Sequence, residues 1–466
     1  MADQKLLNKL WFAYISALIM WTALTYSNLV QAYIFNQSFA YVQESPDHPN
    51  DPGVYTADFL LYYNDAVMSW ECARGNKIDI WDPQLQNSYL QKLVPHVELK
   101  KIFYSQYPPY LMVLCMPLSL VSLDAAYLIW ELLGLTGIIF SVYSLLSTTL
   151  KGKFERAFTY VGVLSTFPAW LSFRLGQIGL AIFPALMWYW VALDRKYWFR
   201  AGLLGGFCLL KLQYAPILFI TGCFLGGLRF FAGYSLMGLI YLVGSIAVLG
   251  LDNVLRYPQA LKMGEISGGQ ITGVSPESQQ NLRGQLVLLT GSDGSVVHMI
   301  VVAAWAVATL YTAFLWWKFR TSAALQSDDD RRRMFMILAS ITMLLQLVTS
   351  PHTHKQDYIF ITLPAIWLMY NVVGNYPIGE AAMPGVKNKS LILAIRYMLI
   401  GFPILSWFFF TAPHVAGLIQ QKIGLHIPAL PVQPFFMYAV ILIVLLALIV
   451  RDAAPGGPKA QLESSR

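Results

Sequence analysis

The chain has 466 residues, of which 56% are hydrophobic and only 12% charged, whereas about a quarter of a soluble domain is charged. That balance excludes a soluble globular protein and specifies an all-α, polytopic membrane protein. The net charge of +7 does not mark a nucleic-acid partner, because the basic residues sit in short clusters between apolar runs rather than along one face.

Taken in chain order, the first apolar run, 10–36, follows Lys5 and Lys9, is too long for a signal-peptide core and lacks a small-residue cleavage site. It reads as a retained anchor with a cytoplasmic N-terminus. A long polar stretch, 37–107, comes next and carries Glu44, Asp47, Asp51, Asp58, Asp65, Glu71, Asp79 and Asp82. Connections this long are usually functional or disordered. Within it, Thr56–Asp65 predicts a helix on which Asp58, Tyr62 and Asp65 fall at i, i+4 and i+7 and share one face. Such a face sets a carboxylate beside phenol hydroxyls at the membrane surface, a place that suits a general base; the other reading is an interfacial amphipathic helix with solvated acids. The stretch closes on Tyr104–Tyr110, where Pro108 and Pro109 suit the first turn of a new helix.

Further runs that match the ~20 residues of a bilayer span lie at 125–148, 233–251, 296–317, 391–411 and 432–450. Shorter or interrupted ones lie at 108–121, 157–171, 178–193, 201–227, 334–349 and 358–373. The sum is about twelve spans, forming one transmembrane domain over 1–451, with long loops at 37–107 and 252–295 and a cytoplasmic, disordered tail at 452–466. Lys and Arg in short loops mark the cytoplasmic side. Lys318–Arg333 therefore lies inside, which puts 252–295 and 350–357 outside. Simple alternation then puts the basic loops Lys151–Arg156 and Asp194–Lys196 outside as well, against the same rule. One remedy is that 201–227, interrupted by Lys211, Gln213 and Pro216, forms two half-helices.

Polar residues break the apolar pattern at Arg174–Gln177, at Lys211 and at Ser350–Asp357. An ionisable residue at membrane depth is a functional hypothesis by default, with snorkelling to the interface as its alternative. His352 and His354 at i, i+2 share one side of a strand but not of a helix, and no Cys or carboxylate completes a familiar metal set. Together with Lys355 they read instead as donors for a phosphate, with Arg174 or Lys211 as helpers, or as a plain polar turn. There is no phosphate-binding Gly-rich loop, no Gly-x-Ser-x-Gly elbow and no dinucleotide fingerprint. An activated substrate would accordingly come from the lipid, and no cofactor is indicated.

The ordered set Asp58–Phe59 with Tyr62 and Tyr63, Trp81–Asp82–Pro83, Tyr107–Pro108–Pro109, Gly176–Gln177, Ser350–Pro351–His352 and Asp357 resembles glycosyltransferase family 87, over roughly 10–375. The resemblance implies a GT-C-type fold and a mannosyltransferase that uses a polyprenyl-phosphate sugar. The sugar would pass to a lipid-linked or cell-envelope acceptor on the outer face, with inversion. It implies Asp58 as general base and His352 and His354 as contacts of the donor phosphate; Tyr62, Tyr63, Asp65, Tyr107, Arg174, Gln177, Lys211 and Lys355 are the further candidate substrate contacts, with Tyr62 and Asp65 open between substrate contact and loop support. The chemistry agrees: an inverting transfer needs a carboxylate to take the acceptor proton and donors to stabilise the leaving phosphate. The non-enzymatic alternative is a flippase of lipid-linked glycans, which would favour paired broken helices in two related halves.

Overall fold

The computed structural model describes residues 2–36, 42–45, 48–54, 57–95, 99, 102–146, 153–264, 271–272, 279–321, 328–367, 389–423 and 432–453. The tail from 454 onward and parts of both long loops lie outside the described residues. Among those described, seven helices are long and apolar enough to cross a membrane, and three shorter apolar helices accompany them. The protein is a polytopic helical membrane protein.

The chain opens with α1 (Ala2–Asn36) and the strand pair β1 (Val42–Ser45) and β2 (His48–Val54). Then come α2 (Ala57–Ala73), α3 (Pro83–Leu93), the two-residue strand β3 (Ile102–Phe103) and α4 (Pro109–Cys115), which a 3₁₀ turn extends to Leu120. α5 (Leu123–Leu146), α6 (Lys153–Leu164), α7 (Phe167–Leu175), α8 (Gly179–Asp194), α9 (Trp198–Phe207) and α10 (Ala215–Leu249) build the first half of the bundle. α11 (Leu251–Leu255), α12 (Tyr257–Gly264), β4 (Ile271–Thr272) and α13 (Leu282–Thr290) belong to the second long loop. α14 (Ser295–Thr321), α15 (Asp328–Thr349), α16 (Thr362–Trp367), α17 (Lys389–Ile423) and α18 (Pro434–Ala453) complete the bundle. α15 buries 78% of its most apolar window against 17–39% for the other six long helices. It is the central helix, and the others leave apolar faces for lipid.

Segment 108–121 does not run from one end of the bundle to the other. Tyr107 donates to Asp58 at 2.8 Å and Tyr63 donates to the Val121 carbonyl at 2.7 Å, so both ends of the segment are tied to α2 at positions about 7.5 Å apart along its axis. Prolines at 108, 109 and 117 confine helix here to seven residues and a 3₁₀ turn. The apolar run is a layer packed on α2.

The stretch 201–227 folds back on itself. α9 ends at Phe207, two 3₁₀ turns carry Lys211, and α10 starts at Ala215. α10 then breaks at Gly227, whose φ of 56° and ψ of −141° turn the chain sharply. The Cβ that Gly226 lacks would lie 3.1 Å from Trp198 at the start of α9, so residues 215–226 return to where α9 began. Lys211 is thus the tip of a helical hairpin.

These two departures from simple alternation place the basic loops together. Arg332 donates to Asp194 at 3.2 Å, and Arg320 donates to the Phe224 carbonyl at 3.0 Å. α5 and α8 run side by side in the same direction, with Gly134 against Leu180 and Gly137 against Pro184. Tyr14 near the start of α1 stacks on Phe158 of α6 at 5.8 Å. The segments at 153–156, 194–196, 229, 318–321 and 328–333 therefore share one end of the bundle. Lys211 and the 350–357 loop occupy the other.

The two long loops meet at that other end. β3 pairs in parallel with β4, Trp81 donates to the Asn253 carbonyl at 2.7 Å, and Arg256 reaches Asp79 at 2.6 Å.

Candidate active site

α2 lies across this end of the bundle. Its first turn carries Asp58, where a carboxylate is favoured by the helix dipole. Asp58 is half-buried, and both its oxygens are held by neutral donors: Oδ1 accepts from the Tyr107 hydroxyl and Oδ2 from the Gln177 amide.

Each donor is placed by local chain chemistry. Tyr107 precedes Pro108, which biases it toward extended backbone. Gln177 follows Gly176, the left-handed C-cap of α7 with φ 63°. A Cβ on Gly176 would lie 2.5 Å from that of Phe59, so only glycine lets α7 end this close to α2. Thr166 starts α7 by accepting from the Ala169 amide at 3.3 Å.

Burial pushes the Asp58 carboxyl up to about 6, against the lowering pull of the Tyr107 phenol, the Lys211 ammonium and the Gln177 amide; Asp357 adds a smaller upward push. The Lys211–Asp357 pair therefore lies within electrostatic reach of Asp58.

Lys211 and Asp357 form an ion pair with side chains only 12% and 2% exposed. The second Asp357 oxygen accepts from the His354 amide at 3.1 Å. Gln213 of the hairpin tip donates to the His352 carbonyl at 3.3 Å, and Gln346 of α15 donates to the Gln213 carbonyl at 2.7 Å. The hairpin tip, the central helix and the 350–357 loop are thereby tied into one unit. Burial pushes the His354 imidazole down to about 4, and Lys211, Lys355 and His352 outweigh part of the attraction of Asp357. His354 is therefore neutral near pH 7, a hydrogen-bonding group rather than a cation. Lys355 is also pushed down by burial, and its ammonium sits 5.6 Å from the Phe410 ring centre.

Hydrogen bonds and electrostatic reach thus connect Asp58, Tyr107, Gln177, Lys211, His352, His354 and Lys355 into one cluster. Tyr62 borders it, its ring 4.6 Å from that of Tyr107 and its hydroxyl accepting from the Ile178 amide at 3.2 Å. Tyr63 points to Val121. Asp65 is turned to Ser105 at 2.5 Å and is 2% exposed. Arg174 lies over the Trp170 ring at 5.4 Å. Asp357 stands in the ordered family-like set but carried no site role there; its pairing with Lys211 gives it one. Among the described residues, no group of three or more His, Cys, Asp or Glu stands close enough to hold a metal ion.

The family model described as Glycosyltransferase family 87 matches residues 104–351, more than half of the chain. A curated relative from Mycobacterium tuberculosis (strain CDC 1551 / Oshkosh), the polyprenol-phosphate-mannose-dependent alpha-(1-2)-phosphatidylinositol pentamannoside mannosyltransferase, is 25% identical over 272 residues. That similarity covers 56% of this chain and 58% of the relative, so the chain spans little more than half the relative's length.

Proposed function

Because the chain belongs to glycosyltransferase family 87 and is a membrane glycosyltransferase, we propose that it moves mannose from a polyprenyl-phosphate donor to a lipid-linked or cell-envelope glycan on the outer face of the membrane. The donor class follows the name of the mycobacterial relative. The basic loops gathered at one end support a cytoplasmic placement of that end and of both termini, with the site at the opposite, extracytoplasmic end. Residues 1–451 act as one GT-C-type domain, and the described parts of the loops 37–107 and 252–295 meet at the end that carries Asp58.

The observation that carries the reading is Asp58 itself. It is a half-buried carboxylate held by neutral donors, with a proton affinity near neutral and the Lys211–Asp357 ion pair within electrostatic reach. A base tuned toward working pH is what proton removal from a hydroxyl needs. In the proposed step Asp58 takes the acceptor proton, and the acceptor oxygen attacks the anomeric carbon from the face opposite the phosphate. The bond from that carbon to the phosphate oxygen breaks, and polyprenyl phosphate leaves with the electron pair. Tyr107 and Gln177 hold the carboxylate in place. Lys211 gives one of its three N–H donors to Asp357 and keeps two for the leaving phosphate, beside His352, His354 and Lys355.

The test is a panel of polyprenyl-phosphate sugars offered to the purified protein with membrane glycolipid acceptors. Release of polyprenyl phosphate from the mannose donor, lost in Asp58→Asn, is the expected result. Full activity of Asp58→Asn sinks the assignment of the base.

A further inference from the structure

Asp65 lies two helical turns beyond Asp58 on α2, and the two carboxylates have unlike surroundings. Asp65 is 2% exposed and takes the Ser105 hydroxyl on Oδ2 at 2.5 Å. Ser105 is fully buried and is held at two further points. Its amide donates to the Gln86 Oε1 at 2.8 Å, and its carbonyl accepts from the Gln86 Nε2 at 3.3 Å; that same nitrogen donates to the Ile80 carbonyl at 2.8 Å. Gln86 is itself fully buried on α3. Asn64, next to Asp65, donates to the Gln86 carbonyl at 3.1 Å. Ser105 is therefore fastened by its side chain to α2 and by its backbone to α3. Tyr107, two residues further on, is the residue that donates to Asp58.

We propose that Asp65, Ser105 and Gln86 form a clamp that sets the Tyr107 hydroxyl on Asp58, which makes Asp65 a positioning residue for the base rather than a substrate contact. The inference rests on the reading of Asp58 as the base. Two residues of extended chain span about 7 Å, so a shift of Ser105 passes to Tyr107 with little slack, and Pro108 holds the next peptide stiff. The titratable groups that face Asp65 are Tyr104 from the clamped segment and Cys115 from α4; neither supplies a positive charge. Burial pushes Asp65 up to about 8, against the lowering effect of Ser105, so near pH 7 it is a neutral acid that holds the segment by hydrogen bonding. Asparagine keeps an oxygen able to accept from Ser105, whereas alanine keeps none.

The experiment compares Asp65→Ala, Ser105→Ala and Asp65→Asn in the polyprenyl-phosphate mannose assay across pH, with thermal melting in detergent alongside. A loosened Tyr107 costs on the order of tenfold in kcat, as small misplacements of catalytic groups do, with KM for the donor changed less than about twofold. The informative readout is the acid limb of the pH–rate profile. Donation by Tyr107 lowers the proton affinity of Asp58, so Asp65→Ala and Ser105→Ala should move that limb to higher pH, as Tyr107→Phe does, while Asp65→Asn leaves it where the unaltered protein has it. A merely structural role would reduce the yield of active protein and leave the limb in place. Ser105→Ala removes a single hydroxyl and keeps the test meaningful if Asp65→Ala does not fold. A limb that moves in Tyr107→Phe but not in Ser105→Ala overturns the clamp and leaves the base standing. Activity retained in Asp58→Asn overturns both.

Discussion

Asp58 and Asp357 lie within electrostatic reach of one another, and their partners differ in kind. Asp58, on the loop side, is held by a phenol and an amide. Asp357, on the bundle side, is held by an ammonium and a backbone amide and is 2% exposed. Neutral donors orient a carboxylate while leaving it free to gain and lose a proton. A buried cation matches its charge and ties the two groups together. On the proposed reading, proton transfer and charge placement fall to separate carboxylates, and each is open to a separate test.

The largest effect is expected at Asp58. Asp58→Asn keeps both hydrogen-bonding neighbours and removes basicity, and general-base removal costs about 10²–10⁴ in rate. Polyprenyl phosphate release under saturating donor measures it, and a loss below tenfold would merge the two carboxylates into one structural class. The pH profile gives the same contrast without mutation. A base with its proton affinity at about 6 is protonated as pH falls, so the rate should decline below about pH 6.

Next comes the ion pair. Lys211→Met or Asp357→Leu alone leaves an unmatched buried charge, a loss of about 3–5 kcal/mol that thermal melting in detergent detects. The double variant Lys211→Met/Asp357→Leu removes both charges and should recover most of that stability, yet it should stay inactive if Lys211 serves the leaving phosphate. Recovery of activity together with stability would make the pair a structural fastener only.

How far these roles could be seen beforehand depended on the distance over which each is defined. The Asp58 helix was legible, because i, i+4 and i+7 are local. So was an interruption around Lys211, since Gln213 and Pro216 break an apolar run within a few residues, although the hairpin that its two halves form was not. Segment 108–121 was not: an apolar run has the same composition whether it crosses a bilayer or lies along α2, and only the contacts of Tyr107 and Tyr63 tell the two apart. Nor was the pairing of Asp357, itself part of the ordered set, with Lys211, 146 positions away. Gly176 stood out as part of a motif, but its reason, the approach of Phe59, belongs to tertiary packing.

A smaller effect is expected at His354. It is neutral near pH 7, because burial pushes it down to about 4, so it contributes a hydrogen bond and not a charge. His354→Ala should raise KM for the donor roughly tenfold, the worth of one good hydrogen bond to a charged group, with kcat less affected. A much larger loss that grows toward acid pH would instead make it a cation in the donor complex.

The smallest effect is expected where a third carboxylate sits. Asp79 pairs with Arg256 across the junction of the two long loops, but their side chains are 42% and 54% exposed, and solvent-exposed pairs contribute at most about 1 kcal/mol. The junction has other fastenings, in the bond from Trp81 to the Asn253 carbonyl and in the bonds from Asn253 to Ile78 and Leu249. Arg256→Ala should therefore leave both melting and transfer rate close to those of the unaltered protein. The comparison of carboxylates makes this a demanding prediction, since Asp79 and Asp357 are both salt-bridged and differ chiefly in exposure. If Arg256→Ala slowed transfer as much as Lys211→Met, exposure would not be what separates them, and the fit between the two loops would have to be part of the site.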